Sequence, residues 1–156
     1  VGGSLIEESS LMYAKELIKN PKIIVPETVV VSDSPEKKGR IIHVNSLNKN
    51  ESIFDIAPEA LYELKPIIQN SGTILWNGPI GFFEKENFAR GTLMIADMIV
   101  SSKSFSVLGG GDTIAAAEKA GVIDKIDYVS TAGGAFLEFM EGKKLPAVEA
   151  LMDKFN

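Results

Sequence analysis

The chain has 156 residues, 45% hydrophobic and 24% charged, with a formal charge of −5, the size and composition of one compact domain. That acidic balance leaves no basic face for a nucleic-acid backbone. The absence of cysteine excludes a disulfide framework, a thiolate metal site and a cysteine nucleophile.

Ser4 with Glu7 has the form of a capping box, and Leu5, Ile6, Leu11, Met12, Leu17 and Ile18 keep helical spacing as far as Asn20-Pro21. One amphipathic helix is predicted there. It begins close to Val1, a first residue other than methionine, so a preceding segment is expected. Lys22 to Val25, Val29 to Val31, and Ile41 and Ile42 with Val44 are β-branched runs and are predicted as strands, with a polar turn from Asp33 to Arg40. Asp55 and Pro58 announce a helix through Leu61, Leu64, Ile67 and Ile68, closed at Asn70-Ser71-Gly72 and kinked late by Pro66.

Beyond this point an apolar strand, a glycine-rich turn and an amphipathic helix recur three times. The first unit is Thr73 to Trp76, the turn Asn77 to Gly81, and a helix from about Asn87 to Ser101. The second is Phe105 to Leu108, Gly109 to Gly111, and Asp112 to Ala120; the third runs from Tyr128 to Ser130 through Ala132 to Gly134 into a helix ending near Glu141-Gly142. Short strands that are apolar on both faces belong to a parallel sheet covered by helices. The expected fold is therefore α/β, doubly wound, with a mostly parallel sheet and helices on both faces, a Rossmann-like three-layer arrangement. Leu145 to Leu151 reads as a last short helix. The greasy run Leu93 to Val100 is interrupted by Asp97 and is too short for a membrane span, so no membrane partner and a cytoplasmic location are expected.

Ligands of open parallel sheets collect beyond the carboxyl ends of the strands, where here all three turns carry glycine. Helices that start right after such turns offer free N–H groups and a positive dipole end, which together bind phosphate without basic side chains. Two other phosphate motifs fail on spacing. Gly109-Gly110-Gly111-Asp112-Thr113 is no dinucleotide fingerprint, and Gly142-Lys143 is followed by Lys144 and has Leu137 where a P-loop needs glycine. Tight strand-to-helix packing is the plain alternative for any single turn; three in succession favour a site. Asp112 can serve either as a helix N-cap or as the hard oxygen ligand of a magnesium nucleotide. Thr113 can meet phosphate or simply start a helix. Glu84 can be a solvated carboxylate or a partner for ribose hydroxyls. His43 receives no role, and Trp76 is expected in the core.

Leu75-Trp76-Asn77-Gly78-Pro79-Ile80-Gly81-Phe82-Phe83-Glu84 resembles the phosphoglycerate kinase family. Val107-Leu108-Gly109-Gly110-Gly111-Asp112-Thr113 and Val129-Ser130-Thr131-Ala132-Gly133-Gly134-Ala135 are similar to its other two signature turns, in the same order. Leu137-Glu138, Glu141-Gly142-Lys143, Val1 to Glu8 and the Pro26 to Asp33 stretch continue the likeness, which covers essentially the whole chain and less than half of a complete enzyme. The resemblance implies that residues 1–156 are an incomplete C-terminal nucleotide-binding domain lacking the N-terminal substrate domain. It implies reversible phosphoryl transfer between 1,3-bisphosphoglycerate and ADP, giving 3-phosphoglycerate and ATP in glycolysis.

By that resemblance Glu84 would hold the ribose hydroxyls, and Asn77, Pro79, Gly81 and Phe82 would line the nucleotide cleft. Asp112 would bind Mg2+, while Gly110, Gly111 and Thr113 would contact the phosphates of ATP or ADP. Gly133 and Gly134 would face the phosphoryl group in flight as the catalytic N–H donors. The phosphoglycerate partner would be held by the missing domain, so the chain alone is expected to turn over negligibly, and the full-length protein to be a monomer. A stand-alone, non-catalytic nucleotide-binding module is the alternative. Ala132 stands where the family usually has a third glycine, a change expected to be tolerated if its dihedrals are ordinary.

Overall fold

The computed structural model describes residues 2–152 and residue 154, so Val1 lies outside the described residues. Two three-stranded sheets organise the chain. In the first, β1 (Thr28–Ser32) is the centre, flanked antiparallel by β2 (Arg40–His43) and β3 (Ser52–Ile56). In the second, β4 (Thr73–Asn77), β5 (Phe105–Gly109) and β6 (Tyr128–Ser130) run parallel in the order of the chain. The α/β class and the parallel sheet are as expected, and the antiparallel sheet is an addition to them.

The helices are α1 (Leu11–Leu17), α2 (Pro58–Gln69), α3 (Arg90–Val100), α4 (Gly111–Lys119), α5 (Gly133–Met140) and α6 (Pro146–Met152). On α2, Pro58 occupies the first turn, where its missing N–H is no loss, and Pro66 falls inside the helix. Leu61 of α2, Ile95, Ala96 and Ile99 of α3 and Ala116 and Ala117 of α4 pack with Trp76 and Leu108 in the main core. These helices thus cover the sheet face that carries Ile74, Trp76 and Leu108. On the other face α5 supplies Phe136, whose ring lies where a Cβ on Gly109 would fall, only 2.4 Å away. Leu75, Phe105 and Tyr128 of that face are exposed. A smaller cluster of Val29, Val31 and Ile42 serves the antiparallel sheet.

Four local expectations are corrected. The predicted helix from Ser4 to Asn20 is a 3-10 turn at Glu8–Ser10 followed by the seven-residue α1. The capping box does not form, because Ser4 Oγ accepts the Ile53 N–H instead and Glu7 accepts from Ser9. The helical spacing survives without burial: Leu11, Met12, Leu17 and Ile18 are between 41% and 68% exposed, which removes the packing that stabilises most helices. Residues 22–25 are irregular and Val44 sits in a 3-10 turn; a β-branched run becomes a strand only where another strand completes its ladder. Asp55 does not start a helix. It lies within β3, and Ala57 takes the N-cap position.

Among the described residues no helix is long and apolar enough to cross a membrane.

Candidate functional site

Register decides whether the three glycine turns meet. Asn77 pairs with Gly109 and Gly109 with Ser130, so the carboxyl ends of β4, β5 and β6 lie side by side. Side chains stitch the first two turns together: Asn77 Nδ2 donates to the Gly109 carbonyl at 2.9 Å, and the Gly78 N–H donates to Thr113 Oγ1 at 2.7 Å. Trp76, buried as expected, donates its indole N–H to the Gly78 carbonyl at 2.9 Å. Asn77, Gly78, Gly109, Thr113 and the strand end at Ser130 therefore lie along one edge.

The glycines of this edge differ in what requires them. Gly110 has φ 93°, a conformation that side-chain-bearing residues rarely adopt, and it delivers the chain into α4. At Gly111, Gly133 and Gly134, by contrast, φ is negative and a Cβ would meet nothing within 4 Å. Neither packing nor backbone conformation calls for glycine at these three positions. Each lies in the first turn of α4 or α5, where amide N–H groups lack intrahelical acceptors. Helix starts of this kind are where proteins receive anions, through N–H groups and the positive dipole end. Ala132 has φ −87° and ψ 31°, outside the regular helical and extended regions but with a negative φ, which accommodates its methyl group.

Asp112 is exposed in the first turn of α4, makes no side-chain cap, and enters no ion pair among the described residues. Its carboxylate is free to take a cation. No cluster of three or more acidic or histidine side chains able to hold a metal occurs among the described residues. Magnesium that accompanies phosphates uses one or two protein carboxylates. Thr113 is 1% exposed and its hydroxyl is engaged with Gly78, so its side chain joins two turns. Glu84 is exposed, with its carboxylate in no ion pair among the described residues. Lys119 donates to the carbonyls of Phe83 and Glu84, at 2.5 and 3.3 Å, and fixes the end of that loop from α4.

The 78–82 turn is held from below. Its Phe82 N–H donates to the Phe54 carbonyl at 2.7 Å, the Ile80 N–H donates to Thr92 Oγ1 at 3.1 Å, and the Thr92 hydroxyl donates back to the Ile80 carbonyl. The Phe82 and Phe54 rings stack with centroids 6.2 Å apart. Sequence reasoning missed Thr92, Lys119 and Asp55. For Asp55 the available signal was a lone acid in the apolar run Ser52-Ile53-Phe54-Asp55-Ile56; the other two carry no local mark. A cavity of about 210 Å³ between α2 and α3, lined by Tyr62, Lys65, Met94 and Met98 among others, contains none of the turn residues.

Comparison with known proteins identifies relatives of the chain. The family model described as phosphoglycerate kinase matches residues 1–143. A phosphoglycerate kinase of Baumannia cicadellinicola subsp. Homalodisca coagulata is 46% identical over 154 residues, which is 99% of this chain and 40% of that protein. The solved phosphoglycerate kinase of Coxiella burnetii superposes with a TM-score of 0.91 at 42% identity, over 99% of this chain and 41% of that one. The enzyme of Pyrococcus horikoshii OT3 gives a TM-score of 0.80 at 35% identity, over 92% of this chain and 36% of its own. The chain thus spans about 40% of the length of the curated relative it matches.

Proposed function

The chain belongs to the phosphoglycerate kinase family, and on that premise we propose that it supplies the nucleotide side of reversible phosphoryl transfer between 1,3-bisphosphoglycerate and ADP. The observation that carries this reading is the row of strand ends at Asn77, Gly109 and Ser130, followed by helix starts at which Gly111, Gly133 and Gly134 have nothing within 4 Å of where a Cβ would lie.

Along that row Asn77, Pro79, Gly81 and Phe82 would border the base and sugar, and Glu84 would accept hydrogen bonds from ribose hydroxyls. The N–H groups of Gly110, Gly111 and Thr113 would receive the phosphate chain. Asp112 would hold Mg2+, which neutralises phosphate charge when bound. Gly133 and Gly134 would donate to the equatorial oxygens of the phosphoryl group as charge spreads over them. Phosphoryl transfer needs little covalent help from protein, so fixed donors and one carboxylate are sufficient chemistry for this half of the reaction. Binding of 1,3-bisphosphoglycerate or 3-phosphoglycerate, and the closure that excludes water, would come from a domain outside these residues. Negligible turnover by the chain alone follows, and for the whole enzyme we propose a glycolytic role in the cytoplasm.

Titration calorimetry of the chain with ADP in magnesium, set beside NAD, tests the reading. Saturable binding of ADP in clear preference to NAD is expected, with no phosphoglycerate kinase turnover. Equal affinity for both, or turnover at ordinary enzyme rates, would overturn it.

A further inference from the structure

Asp55 is the one buried ionisable side chain among the described residues, 2% exposed within β3. It belongs to the antiparallel sheet and lies outside all three glycine turns, yet its carboxylate is wedged beneath the first of them. Oδ2 accepts the Gly91 N–H at 2.8 Å, in the first turn of α3, and Oδ1 accepts the Ile56 N–H at 2.8 Å. A Cβ on Gly81 would lie 2.4 Å from Oδ1, and one on Gly91 only 2.2 Å from it. The carboxylate therefore fills the space that two glycines vacate, one in the 78–82 turn and one at the start of α3. Phe54, its neighbour in β3, accepts the Phe82 N–H, and Thr92, next to Gly91, binds both backbone groups of Ile80.

An apolar strand gains nothing by burying a carboxylate. A buried carboxylate at a helix start does fix that helix end, through its N–H groups and dipole, against whatever lies on the far side of the acid. We propose that Asp55 is a positioning residue for the nucleotide: its carboxylate locks the 78–82 turn onto the first turn of α3 and so holds the base-and-ribose side of the cleft in place without touching ligand. The identity of the ligand rests on the function proposed above; the lock itself does not.

Burial pushes the Asp55 carboxyl up from 3.8 to about 6, against the pull of the N–H groups of Gly91 and Ile56. The charged groups that share its surroundings are Lys38, ahead of β2, and Arg90, at the start of α3, which line a cavity of about 220 Å³ with it. A raised carboxyl pKa makes the Asp55 contribution to stability fully favourable below about 3.8 and lost as pH rises through about 6. The lock has the opposite dependence, because a neutral acid or amide keeps one accepting oxygen and places a donor group at the other position, so one of the two backbone N–H groups loses its acceptor. Stability and nucleotide affinity should therefore move in opposite directions across pH 6, which a simple structural role does not produce.

The test compares the full chain with Asp55→Asn from pH 5 to pH 8, measuring ADP affinity in magnesium, thermal unfolding, and amide exchange at Ile80 and Phe82 with Leu108 as the core reference. At pH 8 the variant should bind about tenfold more weakly, the loss of roughly one charge-assisted hydrogen bond. Its Ile80 and Phe82 amides should exchange faster while Leu108 does not. The affinity ratio should approach one at pH 5, and nucleotide ionisation cancels in that ratio. Equal affinity and equal exchange at pH 8 would overturn the proposal. If the wild-type chain binds no ADP, the functional reading fails while the exchange data still decide the lock. If the variant does not fold, wild-type exchange decides it: corrected for intrinsic rates, Ile80 and Phe82 should loosen relative to Leu108 as pH falls through 6, and a constant ratio would contradict the lock.

Discussion

Replacing Thr113 by Val removes one hydroxyl at the join between the first two glycine turns and changes side-chain shape very little. Thr113 is 1% exposed, and its Oγ1 accepts the Gly78 N–H at 2.7 Å. The valine methyl cannot accept that proton, and the part-buried N–H is left without its partner. Such a loss costs about 1–3 kcal/mol; at the midpoint of that range, and about 2–4 °C per kcal/mol for a chain of this size, unfolding should fall by roughly 4–8 °C. The Asn77 bond to Gly109 remains, so the turn should loosen without leaving the edge, and ADP affinity in magnesium should drop by roughly tenfold. Differential scanning calorimetry and titration calorimetry read the two effects. Thr113→Ser keeps the acceptor and should restore affinity, although it forfeits a buried methyl group. A valine variant that melts and binds like wild type would refute the claim that this hydroxyl couples the turns. Equal losses in the valine and serine variants would trace the effect to methyl packing instead.

Replacing Asp112 by Ala should weaken ADP binding strongly in magnesium and hardly at all in EDTA, measured by titration calorimetry in both buffers; equal losses would remove its metal role. Gly111→Ala should leave the unfolding midpoint unchanged or raise it, since a Cβ there meets nothing within 4 Å and glycine costs a helix about 0.5–1 kcal/mol relative to alanine. The same variant should bind ADP less well because the methyl group occupies space proposed for phosphate, and undiminished affinity would show that this space is unused.

How far the site was legible follows from what each residue depends on. The strand, turn and helix of the three parallel units lie in one local stretch of sequence, and β4, β5, β6, α4 and α5 fall close to the expected positions; α4 buries its apolar stripe, whereas α5 has no buried residue and is set by its glycine turn and by Phe136 packed on Gly109. The junction residues Asn77 and Gly109 to Gly111 came with them, since turn chemistry is local. The failures are non-local. Residues 22–25 have strand composition, but no described strand completes their ladder, and α1 has a helical stripe with nothing packed on it. Asp55 read as a helix signal because acid followed by proline at short range is one. Its actual place in β3 depends on pairing with Val30 of β1 and on glycines 26 and 36 residues later in the chain. Thr113 was expected to face phosphate, and only the fold shows its hydroxyl turned to Gly78.

Amide exchange of the chain with and without saturating ADP in magnesium tests the central claim most directly. One polyphosphate gathered by three strand ends should protect amides in residues 78–84, 110–113 and 132–135 together, with little change on the exposed α1. Protection confined to a single turn, or centred on the cavity between α2 and α3, would contradict the account.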